Sequence, residues 1–118
     1  MMLDKRLVEL YYDQVEGAKF SKTQWAWVYP CNHTKLPDLI IGTNTSHTER
    51  YEPLRIPGAL FEYGQADFEN ECMGGLQTSP EDDINILGDV GLKAAFVVHE
   101  KGAVGASRIG FASKHVLL

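Results

Sequence analysis

The chain has 118 residues, with 16 acidic against 11 basic side chains and a formal net charge of −5. That length fits one domain with a real core, and the acidic balance with scattered Lys and Arg excludes the dense basic face that nucleic acid or an anionic membrane surface requires. No apolar run approaches the roughly 20 residues of a membrane span, and Met1 to Arg6 lack the apolar stretch of a signal peptide, so a secreted parent would carry its targeting segment upstream.

The first predicted element is an amphipathic helix of about three turns. Asp4 serves as its N-cap, Leu7, Val8, Leu10, Tyr11 and Val15 recur at i, i+3, i+4 spacing, and Gly17 stops it. Trp25-Ala26-Trp27-Val28-Tyr29 is rich in strand formers and is closed by Pro30, which cannot donate to a ladder. The alternation of Trp25, Trp27 and Tyr29 suits packing on one strand face. Leu36 to Gly42 reads as a second short strand, and the polar run Thr43 to Glu52 as an exposed loop or hairpin tip. Tyr51 to Ile56 leads to a turn at Pro57-Gly58, and Leu60 to Tyr63 is one turn of helix or a short strand. Cys72 to Gln77 is a strand whose glycines permit close backbone approach.

Thr78 to Asp83 is an acidic, turn-prone loop, and Glu81-Asp82-Asp83 reads as a solvated face. Ile84 to Leu87 then forms a short apolar strand, Gly88 breaks it, and Asp89 caps a brief helix through Val90 to Ala94. Phe96-Val97-Val98 returns to strand, and the turn Gly102 to Gly105 joins it to Arg108 to Ala112 as a hairpin. That turn is no phosphate loop, since no Lys-Ser/Thr follows Gly105. The sum is a mostly β domain with two short helices. His33, His47, His99 and His115 stand far apart without Cys or carboxylate at ligand spacing, so neither a metal site nor another cofactor is expected.

Cys31 and Cys72 are the whole cysteine inventory. In an oxidising compartment they would most simply pair, and the alternative is two buried free thiols. Asn32-His33-Thr34 and Asn44-Thr45-Ser46 fit the N-glycosylation pattern, which makes Asn32 and Asn44 acceptor candidates and tilts the reading toward a secretory route.

Several of these pieces fall in a familiar order. Met1 to Tyr12 with Val15-Glu16-Gly17-Ala18, Tyr29-Pro30-Cys31, Leu36-Pro37-Asp38-Leu39, Ile56-Pro57-Gly58, Cys72 with Gly74-Gly75-Leu76-Gln77, Ile86-Leu87-Gly88-Asp89 and the closing Arg108 to Ala112 cover nearly the whole chain. Together they resemble the C-terminal lobe of pepsin-like aspartic endopeptidases, especially fungal ones, from just after the second Asp-Thr-Gly. The resemblance implies a partial β-barrel-like acid-protease lobe over residues 1–118, with Cys31 and Cys72 matching the lobe's two cysteines. Ile84, Ile86, Leu87 and Gly88 are then expected to support the catalytic loop or line the substrate cleft.

That family hydrolyses peptide bonds at acid pH with a water activated between two Asp residues that share a proton, because like charges so close cannot both ionise. No Asp-Thr-Gly or Asp-Ser-Gly occurs among Asp4, Asp13, Asp38, Asp67, Asp82, Asp83 and Asp89. The chain alone is therefore expected to be inactive, with no catalytic residue of its own. Its implied partners are the N-terminal lobe of a parent peptidase and that enzyme's peptide or protein substrate, in an extracellular or vacuolar setting, and the isolated chain is expected to self-associate. The alternative is a free-standing, non-catalytic secreted binding domain on the same scaffold. Three departures from the family pattern are Gly91 where a large apolar residue is usual, which predicts a void, His99-Glu100 after the Val-Val pair, and a lengthened tip at Ala103 to Ser107.

Overall fold

Asp4 sets where the first helix begins: in the computed structural model its carboxylate accepts the Arg6 N–H at 3.0 Å, supplying a partner that a helix N-terminus otherwise lacks. The structure describes residues 1–32, 34–42, 53–66, 70–81 and 83–114. Strand β1 (Met2–Leu3) precedes helix α1 (Lys5–Tyr12). The helix is two turns, shorter than its spacing predicts, because Gln14 and Val15 donate to Tyr11 and Tyr12 three residues back and tighten the chain into turns. Val15 is still buried, and Gly17 ends the turn at φ +78°.

Strands β2 (Lys19–Ser21) and β3 (Ala26–Pro30) form the next hairpin. Pro30 sits inside the last pair of β3, opposite Glu71. Trp25 lies in the connecting turn at φ +50° and is 79% exposed, so it leaves the strand face on which Trp27 and Tyr29 pack. Strand β4 (Leu39–Ile41) pairs with β5 (Leu54–Ile56). A 3-10 turn, Gly58–Phe61, follows and runs into β6 (Glu62–Gln65). Then come β7 (Glu71–Gly74) and β8 (Gln77–Thr78), completing an antiparallel sheet of order β2-β3-β7-β6 and a parallel pair of β1 with β8. The Cys31–Cys72 disulfide fastens the end of β3 to β7; closing a loop of 41 residues contributes about 4 kcal/mol on the chain-entropy model.

Helix α2 (Gly88–Ala94) and the hairpin of β9 (Ala95–Glu100) with β10 (Arg108–Ser113) complete the fold. Asp89 does not cap α2: Leu87 holds the cap position, and Asp89 lies in the first turn with its carboxylate 4.0 Å from Lys93. Nor does Gly91 leave a void, since a Cβ there would stand 2.8 Å from the Leu87 Cβ; backbone closeness takes the place of a side chain. The loop expected at Thr43 to Glu52 lies outside the described residues.

The core gathers Val8, Tyr11 and Tyr12 of α1 with Ile56, Phe61 and Leu76. Two phenols anchor it: Tyr11 donates to the Pro37 carbonyl at 2.7 Å and Tyr12 to the Leu76 carbonyl at 2.6 Å. Tyr12 also stacks on Trp27, with centroids 4.8 Å apart and planes 7° from parallel, an arrangement that adds about 1 kcal/mol beyond area burial. Burial drives both phenols well above the ordinary tyrosine range.

Beside this core Asp38 clasps two segments. It accepts the Gly58 N–H at 2.7 Å and is paired with Arg55, and these contacts, the Gly58 bond foremost, hold its carboxyl below the usual range. A depressed folded-state pKa contributes stability that is present above the unfolded value and lost as pH falls through the folded one. Asp38→Asn should therefore flatten the loss of stability as pH falls below about 4, read as urea midpoints against pH. An unchanged slope would remove Asp38 from the account.

Candidate functional site

β1 has two residues and no stability of its own, yet it is bonded along both sides. On one side the Met1 ammonium donates to the Gly75 carbonyl at 3.0 Å, the Gln77 N–H donates to the Met1 carbonyl at 3.0 Å, and the Ser79 N–H donates to the Leu3 carbonyl at 2.8 Å. On the other side Met2 and Ile86 exchange both bonds at 2.7 Å. The Asp4 N–H then donates to the Asn85 side-chain carbonyl at 2.9 Å. The first residues are thus threaded between an arm at Gly74 to Ser79 and an arm at Asn85 to Gly88.

Glycines let the arms close in. A Cβ on Gly74 would fall 1.8 Å from the Tyr12 hydroxyl oxygen, and one on Gly75 would fall 3.0 Å from the Phe61 Cα. Gly88 takes φ +57°, a region glycine occupies without penalty, and its Cβ position lies 3.9 Å from the Met1 nitrogen. Gln77 locks the first arm to the sheet. Its amide accepts the Trp27 N–H at 2.7 Å and donates to the carbonyls of Trp27 at 3.1 Å and Gly74 at 2.8 Å.

Of the four residues singled out in the sequence, Ile86, Leu87 and Gly88 fall on the second arm and Ile84 just before it, in different roles. Ile86 forms an isolated antiparallel bridge to Met2 in place of the predicted strand from Ile84 to Leu87. Ile84 and Ile86 are 46% and 45% exposed, leaving an apolar rim. Leu87 is half-buried at the start of α2, and Gly88 faces the Met1 nitrogen. Tyr12, Gln77 and Asn85 are the members that sequence reasoning missed; the glycine pair before Leu76 signals a close approach, but nothing local marks which side chains fill it.

Electrostatically the junction is poor in acid groups. The Met1 ammonium is held below its ordinary range by partial burial, against the attraction of Asp89. Asp4 is committed to capping α1 and Asp38 to its clasp. Among the described residues no group of three or more His, Cys, Asp or Glu is placed to hold a metal ion. As it stands the junction can position backbone, but among the described residues it has no pair of carboxylates with which to activate a water. Of the glycosylation candidates, Asn32 is exposed in a bend after Cys31, and Asn44 lies outside the described residues.

Comparison with known proteins gives this arrangement its context. Residues 1–114 match the model of the eukaryotic aspartyl protease family. The chain is 41% identical over 106 residues to a probable aspartic-type endopeptidase of Arthroderma benhamiae, covering 86% of the chain and 23% of that protein. It is 39% identical over 115 residues to endothiapepsin of Cryphonectria parasitica, covering 97% and 25%. To aspergillopepsin-1 of Aspergillus flavus it is 35% identical over 117 residues, covering 97% and 26%. The chain spans about a quarter of the length of these relatives.

The junction's tightness is open to direct test. Gly74→Ala drives a Cβ into Tyr12 and should destabilise the fold by about 1–3 kcal/mol, as overpacking does. Gly88→Ala meets no close atom and should cost about 1 kcal/mol through its backbone alone. Urea unfolding that ranks the two equally would contradict the Tyr12 contact.

Proposed function

The chain belongs to the eukaryotic aspartyl protease family, and from that premise we propose that residues 1–118 form the C-terminal-lobe part of an acid endopeptidase whose catalytic Asp residues lie outside this stretch. The observation that carries the reading is the threading of β1. Backbone entering β1 from upstream would emerge beside Gly75 and Gly88, with an amide in place of the Met1 ammonium able to keep the Gly75 bond. A loop carrying Asp-Thr-Gly there would be held rigidly from both sides, which electrostatic catalysis by a proton-sharing pair requires. Ile84, Ile86, Leu87 and Gly88 then act as supports for that loop or as apolar cleft wall, and the substrate is a peptide bound between this lobe and a second one.

The second lobe has a place to dock. The β9–β10 hairpin is apolar on both faces: Phe96 and Val98 are each 62% exposed on one, Ile109 and Phe111 57% and 45% exposed on the other. Strands that are apolar on both sides are normally covered on both. The disulfide and the Asn32 and Asn44 triplets support an oxidising, secretory setting, extracellular or vacuolar.

Two measurements check this. The purified chain should not cleave peptides at about pH 3 to 5, with or without pepstatin; pepstatin-sensitive cleavage would mean that this chain supplies carboxylates after all. By sedimentation the isolated chain should self-associate through its open hairpin. A monodisperse monomer with a sharp, high-temperature unfolding transition would oppose the lobe reading and favour a free-standing domain.

A further inference from the structure

Away from the junction, a cavity of about 520 Å³ opens beside the disulfide, walled by Tyr29, Thr34, Lys35, Glu62 and the Cys31–Cys72 bridge. Its size is within the range of small-ligand sites, about 300–1,000 Å³. Tyr29 is only 3% exposed, and its hydroxyl makes no hydrogen bond to any described residue, although it is not sealed from the cavity. Burial, and then the Glu62 carboxylate, push this phenol above its ordinary range, so it stays a donor. A buried hydroxyl usually recovers a partner for the water it loses, and here the partner has to come from the cavity. Lys35 and Glu62 offset each other's charge, so the site suits a neutral, hydroxyl-rich occupant that accepts from Tyr29 and donates to Glu62.

Such an occupant can be attached at the cavity's edge. Asn32 lies between Cys31 and Thr34, which both line the cavity, and Asn32-His33-Thr34 fits the N-glycosylation pattern. Asn32 is exposed, and its Nδ2 makes one long bond, 3.4 Å to Asn70 Oδ1, which is easily given up. We propose that Asn32 is N-glycosylated and that its first N-acetylglucosamine packs into this cavity, with sugar hydroxyls meeting Tyr29 and Glu62. The inference rests on the secretory reading above. In the transfer, Nδ2 attacks the anomeric carbon of a lipid-linked diphospho-oligosaccharide, the N–C1 bond forms as the C1–O bond to phosphate breaks, Nδ2 loses a proton, and the lipid diphosphate leaves.

The test expresses the whole chain behind an added secretion leader in yeast and maps glycopeptides after trypsin. Because the leader is supplied, an empty Asn32 counts against this site without bearing on the native route, which fractionation of the source cells tests separately. Trypsin separates 23–35, bearing Asn32, from 36–50, bearing Asn44. Peptide 23–35 should carry glycan, lost in Asn32→Gln and in Thr34→Ala; an unmodified peptide overturns the proposal, and this readout does not depend on folding. Endoglycosidase trimming to one sugar then tests the packing. The trimmed protein should melt about 4 °C above Asn32→Gln, the shift one hydrogen bond gives in a domain of this size, and Tyr29→Phe should at least halve that gap. Should Tyr29→Phe fail to fold, Glu62→Gln gives the same comparison. Equal melting points, or a gap that neither substitution changes, would overturn the seating of the sugar.

Discussion

The backbone of Met1 to Leu3 is the constraint on which the rest of the structure depends. Its donors and acceptors are satisfied only by residues that lie more than seventy positions along the chain, at Gly75 to Ser79 on one side and Ile86 on the other. A strand of two residues cannot hold itself; what holds it is the packing behind it. α1 follows after one residue and turns Val8, Tyr11 and Tyr12 inward, and Tyr12 reaches back to the carbonyl of Leu76, in the same arm that pairs with β1. Helix, strand and arm therefore form one closed circuit of hydrogen bonds. Loop closure over such separations is costly in entropy, and the disulfide, which shortens the unfolded chain's freedom between β3 and β7, offsets part of that cost.

How much of this was legible in the sequence depended on whether the cause was local. The start of α1 at Asp4, the turn at Pro57-Gly58 and the hairpin from Phe96 to Ala112 follow from caps, turn chemistry and alternation, and all appear. Gly74 and Gly75 were readable as a close approach, and they are one. The early end of α1 was not, because the three-residue bonds of Gln14 and Val15 that tighten the chain there follow from no residue signal near Asp13. Asp89 carries the composition of a cap, but the helix starts two residues sooner, at Gly88 behind Leu87, and takes Asp89 into its first turn. Within the site, Ile86 and Gly88 stood out through the family resemblance alone. Gln77 and Asn85 did not, since their partners Trp27 and Asp4 are 50 and 81 residues away and only the register of β1 brings them together.

The same logic separates the two ends of the molecule. Behind β1 the core is closed, with Val8, Ile56, Phe61 and Leu76 sealed from water, while Met2, Ile84 and Ile86 form an exposed apolar rim. The terminal hairpin has the composition of a strand pair buried on both sides, yet beyond its packing on α2, β5 and Lys114 its Phe96, Val98, Ile109 and Phe111 stay exposed. That lysine caps the Leu92 carbonyl at 2.7 Å and lies 4.9 Å over the Phe96 ring. Apolar residues exposed on both faces of a hairpin are the kind of surface that meets a partner, and the second lobe of the proposed reading would cover it with no new contact inside the chain.

Acid conditions, in which this family's carboxylate pair works, are hard on folds held by ionised carboxylates, because each native pair lost to protonation removes stability. The bonds that hold the core and β1 are made by other groups. Tyr11, Tyr12 and Gln77 supply neutral donors and acceptors to the Pro37, Leu76, Trp27 and Gly74 backbone, and β1 is held mainly by amides. Raised phenol pKa values leave Tyr11 and Tyr12 protonated throughout the acid range. The ion pairs Lys5–Glu9, Lys19–Glu71 and Arg108–Glu100 lie toward the surface, where such pairs contribute about 0–1 kcal/mol. Among the described carboxylates, Asp38 has a lowered pKa and links two segments, and its clasp lies beside the core, not across the β1 junction. Protonation therefore loosens an edge of the lobe while the threading that would hold a catalytic loop stays intact.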